Sequence, residues 1–478
     1  MIRKYNPQDA ASIFTHSTGL LHHSLTEAMA IVDPNIKPEE IALRGKGSLG
    51  QLVEKFWYGY KPNSSPLPDF SEAGVELKTT PLKKLKTEEL AIKERLVCDM
   101  IDYCEVVNLP FEESPFYRKC LLMLILFYLH VEGKKQRDLE FLFSVLWKIQ
   151  GKDLMIIRHD YEVIVDKIKQ GRAHELSEGD TMYLGACRKG QKGDSLRKQP
   201  FSDVDAPKRA FSLKTAYMRT ILKFVQESGN DMATNTDVPM TRLQLVSEAE
   251  LKSRSFEEIL TDRLMAFKGW DYKQIANHFK MRINPAEKSK YARITRRILL
   301  KGLNSFEEAE EIQKAGIIVK TIRVEANGSI KESMSFENID YDEVYETKDW
   351  INSRWYEIIT SRFMFVIFRE KPDTSWGKEK RYVLDDVIFW TMPVEDLPAA
   401  EDFWNNIRQN VLSDTLQDEN NTFWGMALHN KFHVRPKSQT SKEKYFSPVS
   451  GQEVPKKCYW FNRDYVAQII NGKKDEKI

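Results

Sequence analysis

One block of sequence occurs twice in this chain of 478 residues. Ala73-Gly-Val-Glu-Leu-Lys-Thr79 matches Ala315-Gly-Ile-Ile-Val-Lys-Thr321, at an offset of 315 − 73 = 242 residues. Self-similarity at a fixed offset is typical of a duplicated unit, and the chain is about three times the usual domain length. The repeat therefore predicts two copies of one fold.

A second pair of matching positions follows in the same order. In the first half Lys189 precedes Pro207 by 18 residues, and in the second half Lys437 precedes Pro455 by the same interval. The alternative to a duplication is two unrelated domains with coincidental blocks, because each block is short.

The turn-forming segment 228–239 predicts a linker near the middle of the chain. We therefore expect domains at 1–235 and 236–478. A second polar stretch, Lys437 to Pro455, is interpreted as a surface loop inside the second domain.

Hydrophobic periodicity predicts an α/β fold with a small mixed sheet flanked by helices. Helical spacing of Leu49, Leu52 and Trp57 indicates an amphipathic helix, and further helices are expected over 160–170 and 214–226. Alternation from Val75 to Thr79 predicts a half-buried strand. The apolar run 121–128 is typical of a central strand.

Composition excludes several classes of protein. The five cysteines include no C-x-x-C pair, which argues against a disulfide framework or a zinc site. No apolar run is long enough to span a bilayer, so the sequence predicts a soluble, intracellular protein without a membrane partner. No phosphate-binding loop or dinucleotide motif supports ATP-driven or redox chemistry.

The strongest chemical signal is Pro68-Asp69 followed by Glu76-Leu77-Lys78. Glu76 and Lys78 share one face of the expected strand, because residues two apart point the same way. Asp69 and Glu76 offer the hard oxygen ligands that Mg²⁺ prefers, and Lys78 can position a water or stabilise charge on a phosphate. The set favours Mg²⁺-assisted phosphodiester hydrolysis.

The alternative for this group is a solvated strand face with an incidental ion pair, since E-x-K alone is a weak signal. Glu54, on the helix just upstream, can add a third carboxylate or can be an ordinary exposed glutamate. Lys119 precedes the apolar strand and can reach a phosphate or stay a surface lysine.

The net charge of +2, from 72 basic and 70 acidic residues, conceals a basic window from Tyr183 to Lys223. Within this window ten basic residues, including Arg188, Lys189 and Lys214, stand against three acidic ones. Next to a phosphodiesterase site, such a window favours DNA binding over a merely solvated basic loop.

Four blocks together resemble the MutH-like endonucleases: Gly50-Gln-Leu-Val-Glu54, Pro68 through Thr79, Glu113-Ser-Pro-Phe-Tyr-Arg-Lys119 and Ala210-Phe-Ser-Leu-Lys214. That family contains a mismatch-repair nicking enzyme and two-domain type II restriction endonucleases that cut at GATC. The length and the segment His174-Glu-Leu-Ser-Glu-Gly179 look most like the restriction enzymes.

The resemblance implies a restriction-endonuclease-like fold in both domains. It implies that Asp69, Glu76 and Lys78 are catalytic, with Glu54 and Lys119 as auxiliary active-site residues and Asp69 and Glu76 as Mg²⁺ ligands. Around the base-reading loop it places Arg188, Lys189 and Lys214 as DNA-binding residues. A methylation-sensing tyrosine of the nicking enzyme is Ser212 here, which implies cleavage that is insensitive to adenine methylation.

The second copy lacks part of this set. At the offset of the repeat, Glu311, Ile318 and Lys320 take the positions of Asp69, Glu76 and Lys78, and isoleucine cannot bind Mg²⁺. Arg435 and Lys437 remain in the segment that corresponds to the basic loop. The resemblance implies an inactive, DNA-binding domain that acts as an allosteric effector; the alternative is a purely structural domain.

These observations predict a cytoplasmic bacterial type II restriction endonuclease. We expect a monomer that pairs on double-stranded DNA, engages two GATC sites in the functional assembly and makes double-strand breaks with Mg²⁺. The alternatives are a mismatch-repair GATC nicking endonuclease and a non-catalytic DNA-binding regulatory protein.

Overall fold

The computed structural model describes residues 5–43, 48–62, 65–85, 87–190, 196–236, 245–300, 305–306, 309–417, 421–427, 429–436 and 444–472. By contact density the chain divides into two compact units. Unit 1 comprises Met1–Phe256 with Glu307–Gly316, and unit 2 comprises Glu257–Phe306 with Ile317–Ile478. The domain boundary at 235/236 stays a prediction.

Unit 1 contains both helices and strands. Its helices are α1 Ala10–His16, α2 Leu25–Val32, α3 Leu49–Leu52, α4 Tyr103–Val106, α5 Pro115–Cys120, α6 Gly151–Lys169, α7 Thr215–Glu227 and α8 Glu248–Leu251, and a π-helical turn, Val53–Trp57, continues α3. Its strands are β1 Glu76–Lys84, β2 Leu90–Ile92, β3 Leu96–Met100, β4 Leu122–Leu129, β5 Phe141–Lys148, β6 Leu184–Arg188, β7 Leu196–Gln199, β8 Ser202–Pro207, β9 Arg209–Leu213 and β10 Met232–Thr234.

The larger sheet of unit 1 has the strand order β10-β5-β4-β1-β2. β1 and β4 run parallel, with Glu76 opposite Met123, whereas β4 and β5 run antiparallel. The apolar run forms β4 at the centre of this mixed sheet, as predicted, because both faces of the strand are covered. A smaller antiparallel sheet has the order β3-β9-β6.

The segment predicted as a linker is in part a strand. β10 lies within 228–239 and pairs in parallel with β5, at the edge of the larger sheet. Three residues are too few to show a period, so the prediction missed this strand. Residues 237–244 lie outside the described part of the chain.

A short helix from the middle of the sequence completes unit 1. Helix α12, Glu310–Ala315, packs against α7. The ammonium of Lys314, almost fully buried, lies 2.7 Å from Asp153 Oδ2 and 2.7 Å from Glu310 Oε1. The hydroxyl of Tyr217 donates to Asp153 Oδ2 at 2.7 Å, so buried charges of both signs hold this helix.

Unit 2 likewise contains both helices and strands. Its helices are α9 Phe256–Met265, α10 Tyr272–His278, α11 Lys290–Leu299, α13 Tyr341–Glu346, α14 Arg354–Ile359, α15 Leu397–Leu412 and α16 Arg463–Gly472. Its strands are β11 Ile318–Val324, β12 Met334–Asn338, β13 Phe363–Glu370, β14 Tyr382–Trp390, β15 Phe432–Arg435, β16 Lys444–Phe446, β17 Glu453–Pro455 and β18 Cys458–Phe461.

In unit 2, β11 and β13 run parallel and β13 and β14 run antiparallel, in the order β11-β13-β14. A second antiparallel sheet has the order β12-β18-β15. The stretch from Lys437 to Pro455, predicted as a loop, contains the antiparallel hairpin of β16 and β17. No helix in the described residues is both long and apolar enough to cross a membrane.

Candidate active site

A short turn brings Asp69 and Glu76 together at the start of β1. Phe70 and Val75 form an antiparallel bridge, and Gly74 between them has φ +67°, a left-handed conformation that suits glycine. The backbone N–H of Leu77 donates to Asp69 Oδ2 at 2.9 Å, and that of Asp69 donates to Glu76 Oε2 at 3.2 Å. Backbone hydrogen bonds therefore fix both carboxylates next to each other.

Lys78 lies on the same side of β1 as Glu76, as the alternation predicted. Its ammonium donates to Glu76 Oε1 at 2.8 Å and to the carbonyl oxygen of Cys98 at 3.0 Å. Burial disfavours the charged ammonium, but the neighbouring Cys120 and Glu76 outweigh it and raise the pKa of Lys78. Lys78 is therefore a fixed cation here.

Glu54 and Lys119 complete the cluster. Lys119 Nζ lies 3.8 Å from Glu76 Oε1. Glu54 lies on the π-helical turn that continues α3, and burial together with the charges of Asp69 and Glu76 raises its pKa to about 7. The structure thus brings together all five residues predicted for catalysis.

The carboxylates make this site acidic and short of positive charge. Burial and the charge of Glu76 raise the pKa of Asp69 to about 6. A bound cation relieves such repulsion, and clustered carboxylate oxygens are the ligands that hard divalent cations prefer. In the described residues no three acidic, histidine or cysteine side chains converge closely enough to hold a metal ion alone. The donor set fits a cation that takes two protein carboxylates and completes its shell with water and phosphate oxygens.

Asp99, which was not predicted from the sequence, also lies at this site. Lys119 Nζ is 3.9 Å from Asp99 Oδ1. A bulge between Val97 and Asp99 makes Cys98 the extra residue of β3, and its carbonyl accepts the hydrogen bond from Lys78. An acidic residue between the apolar positions of a strand was the available signal, but only the packing of α5 against β3 brings Lys119 beside it.

The predicted DNA-binding residues of unit 1 lie on the strands of the smaller sheet or directly after them. Arg188 is exposed at the end of β6, and the backbone N–H of the half-buried Lys189 donates to Lys208 O at 2.8 Å. The ammonium of Lys214 donates to the carbonyl oxygen of Thr181. Ser212 is fully buried in β9, so its side chain cannot contact DNA in this conformation. Residues 191–195 of the basic loop lie outside the described residues.

In unit 2, Arg435 is exposed at the end of β15, with its guanidinium 4.7 Å from the ring of Trp460. Lys437 lies outside the described residues. Ile318 opens β11, and Lys320 Nζ donates to the carbonyl oxygen of Ser335 at 2.7 Å.

The expected equivalence of Glu311 with Asp69 is wrong. Glu311 lies on α12 in unit 1, where its carboxylate accepts from the backbone N–H of Leu245 at 3.0 Å and pairs with Lys152 at 2.8 Å. The offset of 242 residues holds for the starts of β1 and β11, but a helix stands before β11 where unit 1 has a turn before β1, so an equal offset does not give an equal place there.

Comparison with known proteins places this site in a family. The family model of the DNA mismatch repair enzyme MutH matches residues 58–160, which include Asp69, Glu76, Lys78 and Lys119. The type II restriction enzyme Sau3AI of Staphylococcus aureus is 33% identical over 471 residues, which cover 93% of this chain and 92% of that enzyme.

Shorter matches connect the chain to mismatch repair proteins. The MutH protein of Shewanella putrefaciens is 28% identical over 186 residues, 37% of this chain and 79% of that protein. The MutH protein of Shewanella woodyi is 27% identical over 213 residues, 43% of this chain and 85% of that protein. The near-complete match to a restriction enzyme and the MutH domain agree with the carboxylate and lysine cluster. The chain therefore belongs to the MutH-like endonuclease family, among its type II restriction enzymes, and is a site-specific endonuclease.

Proposed function

We propose that the protein makes double-strand breaks in DNA at GATC by Mg²⁺-dependent phosphodiester hydrolysis, irrespective of adenine methylation. The observation that carries the chemistry is the joint placement of Asp69, Glu76 and Lys78 by backbone hydrogen bonds and ion pairs. The family resemblance supports GATC as the site, and Ser212 in place of a tyrosine supports insensitivity to methylation.

Each residue of the cluster has a distinct role in this proposal. Asp69 and Glu76 hold the metal ion, which when bound polarises the scissile phosphate and acidifies a water. Lys78, held by Glu76 and the carbonyl of Cys98, directs its ammonium at the attacking water or at the charge that develops on the phosphate. Lys119 adds a second positive charge 3.8 Å from Glu76, and Glu54 adds a third carboxyl group beside Asp69 and Glu76.

We also propose that unit 2 is a degenerate copy of unit 1. Both units pair one parallel and one antiparallel strand in the same order, β1-β4-β5 and β11-β13-β14. Corresponding hydroxyls bond to corresponding carbonyls, Tyr103 to Pro207 and Tyr341 to Pro455. With Ile318 in place of Glu76, we infer that unit 2 binds a second GATC site as an allosteric effector instead of cutting it.

Incubation with plasmids tests the activity directly. Unmethylated and adenine-methylated plasmids that contain GATC should both become linear with Mg²⁺ and stay intact with EDTA, and mapping of the ends should place them at GATC. Asp69→Ala should abolish cleavage, whereas Asp166→Ala, an exposed carboxylate on α6, should leave it unchanged. Intact plasmid in every lane, or cleavage by Asp69→Ala, would contradict the proposal.

The matches to MutH proteins favour one further candidate, a nicking endonuclease of mismatch repair. That enzyme would leave hemimethylated plasmid nicked and never linear. A protein that retains DNA without Mg²⁺-dependent turnover would instead be a non-catalytic regulator. The same plasmid assay separates the three outcomes.

A further inference from the structure

Helix α11 takes the place in unit 2 that the helix Leu49–Trp57 takes in unit 1. β1 begins at Glu76 and β11 at Ile318, an offset of 318 − 76 = 242 residues. α3 packs against β1, and α11 packs against β11. At this offset every buried position of the first helix is also buried in α11: Leu49, Leu52, Val53 and Trp57 correspond to Tyr291, Ile294, Thr295 and Leu299. α11 buries Lys290 and Ile298 in addition.

The outward positions of the two helices differ in charge. Gln51, Glu54 and Lys55 sum to zero in unit 1, whereas Arg293, Arg296 and Arg297, here called the arginine face, sum to +3. None of the three arginines is fully buried. Because packing of the helix depends on its buried positions, the change from neutral to cationic is not needed for the fold.

The chain before α11 widens this positive surface. The guanidinium of Arg293 donates to the carbonyl oxygen of Arg282 at 3.3 Å, and that of Arg297 lies 5.7 Å from the ring of Phe279. The segment 279–282 therefore runs beside the arginine face and adds the exposed side chains of Lys280 and Arg282.

These five cations form one ion pair within the described residues. Glu287 Oε2 pairs with Arg293 Nη1 at 2.6 Å. Arg296 has its guanidinium 5.8 Å from the ring of Phe306, and its Nε has no hydrogen-bond partner within the described part of the chain. That Nε is itself buried and is not part of the surface, which keeps an excess of positive charge.

Two substitutions remove the negative charge in unit 2 from the positions that correspond to carboxylates of the active site in unit 1. In unit 1 the charge of Glu54 acts on Asp69 and Glu76, where repulsion between carboxylates calls for a metal ion. In unit 2, Arg296 stands at the position of Glu54 and Ile318 at that of Glu76. A guanidinium binds a phosphate without a metal ion, through paired N–H donors.

We propose that the arginine face, with Lys280 and Arg282, binds the phosphodiester backbone of duplex DNA without a metal ion. This inference rests on the proposed DNA-binding role of unit 2 and names the surface that performs it. The ligand is a polyanion, since five cations with a single ion pair among them match the regular negative charge of a DNA backbone.

The proposal is tested by titrating the whole 478-residue chain with GATC duplexes in EDTA. Calorimetry counts how many duplexes bind to each chain. The unchanged protein should show two binding events. Arg296→Gln with Arg297→Gln should weaken one event at least tenfold and lower its salt dependence by about two released ions. Lys348→Gln with Arg463→Gln, two other exposed cations of unit 2, should retain both events.

The charge-conserving double variant Arg296→Lys with Arg297→Lys is the control for correct folding. This variant should keep both binding events and the melting temperature of the unchanged protein. Two events of unchanged affinity in the glutamine variant would overturn this inference and leave the DNA-binding role of unit 2 intact. A single event in the unchanged protein would overturn that role and this inference together. Loss of an event in the lysine variant with a lowered melting temperature would assign the arginines to folding and overturn the inference.

Discussion

Asp99 is a positioning residue for Lys119 in our interpretation of the site. Its carboxylate lies 3.9 Å from Lys119 Nζ. We expect Asp99→Asn to lower kcat for plasmid cleavage roughly 10- to 100-fold, as loss of a supporting partner does in metal sites, with little change in KM. Steady-state cleavage kinetics measure both constants.

Two variants control for a general loss of structure. Asp99→Glu restores the charge and should recover part of kcat, and Asp166→Asn removes an exposed carboxylate elsewhere and should leave both constants unchanged. An Asp99→Asn enzyme with the kcat of the unchanged protein would show that Lys119 needs no anchor.

Glu54 should make the metal-free protein less stable as the pH rises. Burial raises its pKa from 4.5 to about 7, so the folded state binds a proton that the unfolded state has released between these values. The stability from this proton is complete below pH 4.5 and is lost as the pH rises through 7. In EDTA at pH 8, Glu54→Gln should increase the free energy of unfolding by on the order of 1 kcal/mol, after allowance for solvent screening.

Denaturant titration at pH 8 and pH 5 measures this difference. The gain from Glu54→Gln should be smaller at pH 5, and Glu39→Gln, an exposed glutamate, should change stability at neither pH. An equal gain at both values would contradict ionisation of Glu54 as its cause.

At the residue scale the sequence predicted the cluster of Asp69, Glu76 and Lys78 because strand alternation fixes which side chains share a face. Asp99 escaped prediction because its partner Lys119 lies on α5, and nothing in a single sequence shows that α5 packs against β3. Glu311 was misplaced for a related reason, since it lies on a helix that packs on residues far from it in sequence.

Two glycines with left-handed backbones, each shortly before a strand, offer a test at the scale of elements. Gly74 and Gly316 precede β1 and β11 with φ +67° and +61°. A Cβ at Gly74 meets no atom within 4 Å, whereas one at Gly316 lies 3.0 Å from Ala216 Cβ. We expect Gly74→Ala to cost about 1–2 kcal/mol of stability from its left-handed backbone alone, and Gly316→Ala to cost more.

Thermal unfolding of both variants measures the difference. Gly425→Ala is the control, because that glycine has open space and no left-handed backbone; it should change stability by less than about 0.5 kcal/mol. Equal costs at Gly74 and Gly316 would show that Ala216 moves aside.

Long elements with a clear hydrophobic pattern were predicted from the sequence, and several short strands were missed. The helix at 49–57 has apolar residues at helical spacing, and β4 is a continuous apolar run of eight residues. Both were found. β10, β16 and β17 have three residues each and gain their stability from a paired neighbour, which no local pattern reveals.

At the scale of the whole molecule, Lys314 should contribute strongly to the stability of unit 1. It is buried between Asp153 and Glu310, and its loss leaves those charges uncompensated. We expect Lys314→Met to cost about 3–5 kcal/mol in the unfolding of unit 1, and addition of Asp153→Asn to recover part of that cost.

Chemical denaturation, followed by a probe in unit 1, measures these values separately from unit 2. Lys84→Met is the matched control within unit 1, because both side chains of its ion pair with Glu88 are exposed and the pair should be worth about 0–1 kcal/mol. A cost below about 1 kcal/mol for Lys314→Met would mean that α12 does not stabilise unit 1.

The return of Glu307–Gly316 to unit 1 also bears on how such a gene can evolve. The polypeptide passes between the units after residues 256, 306 and 316, so neither unit is encoded by one uninterrupted stretch of the gene. A fission of the gene at its midpoint would leave the first product without Lys314 and with an unneutralised Asp153 in its interior. Selection against that product would keep both halves in one reading frame, even where a single half carries the chemistry.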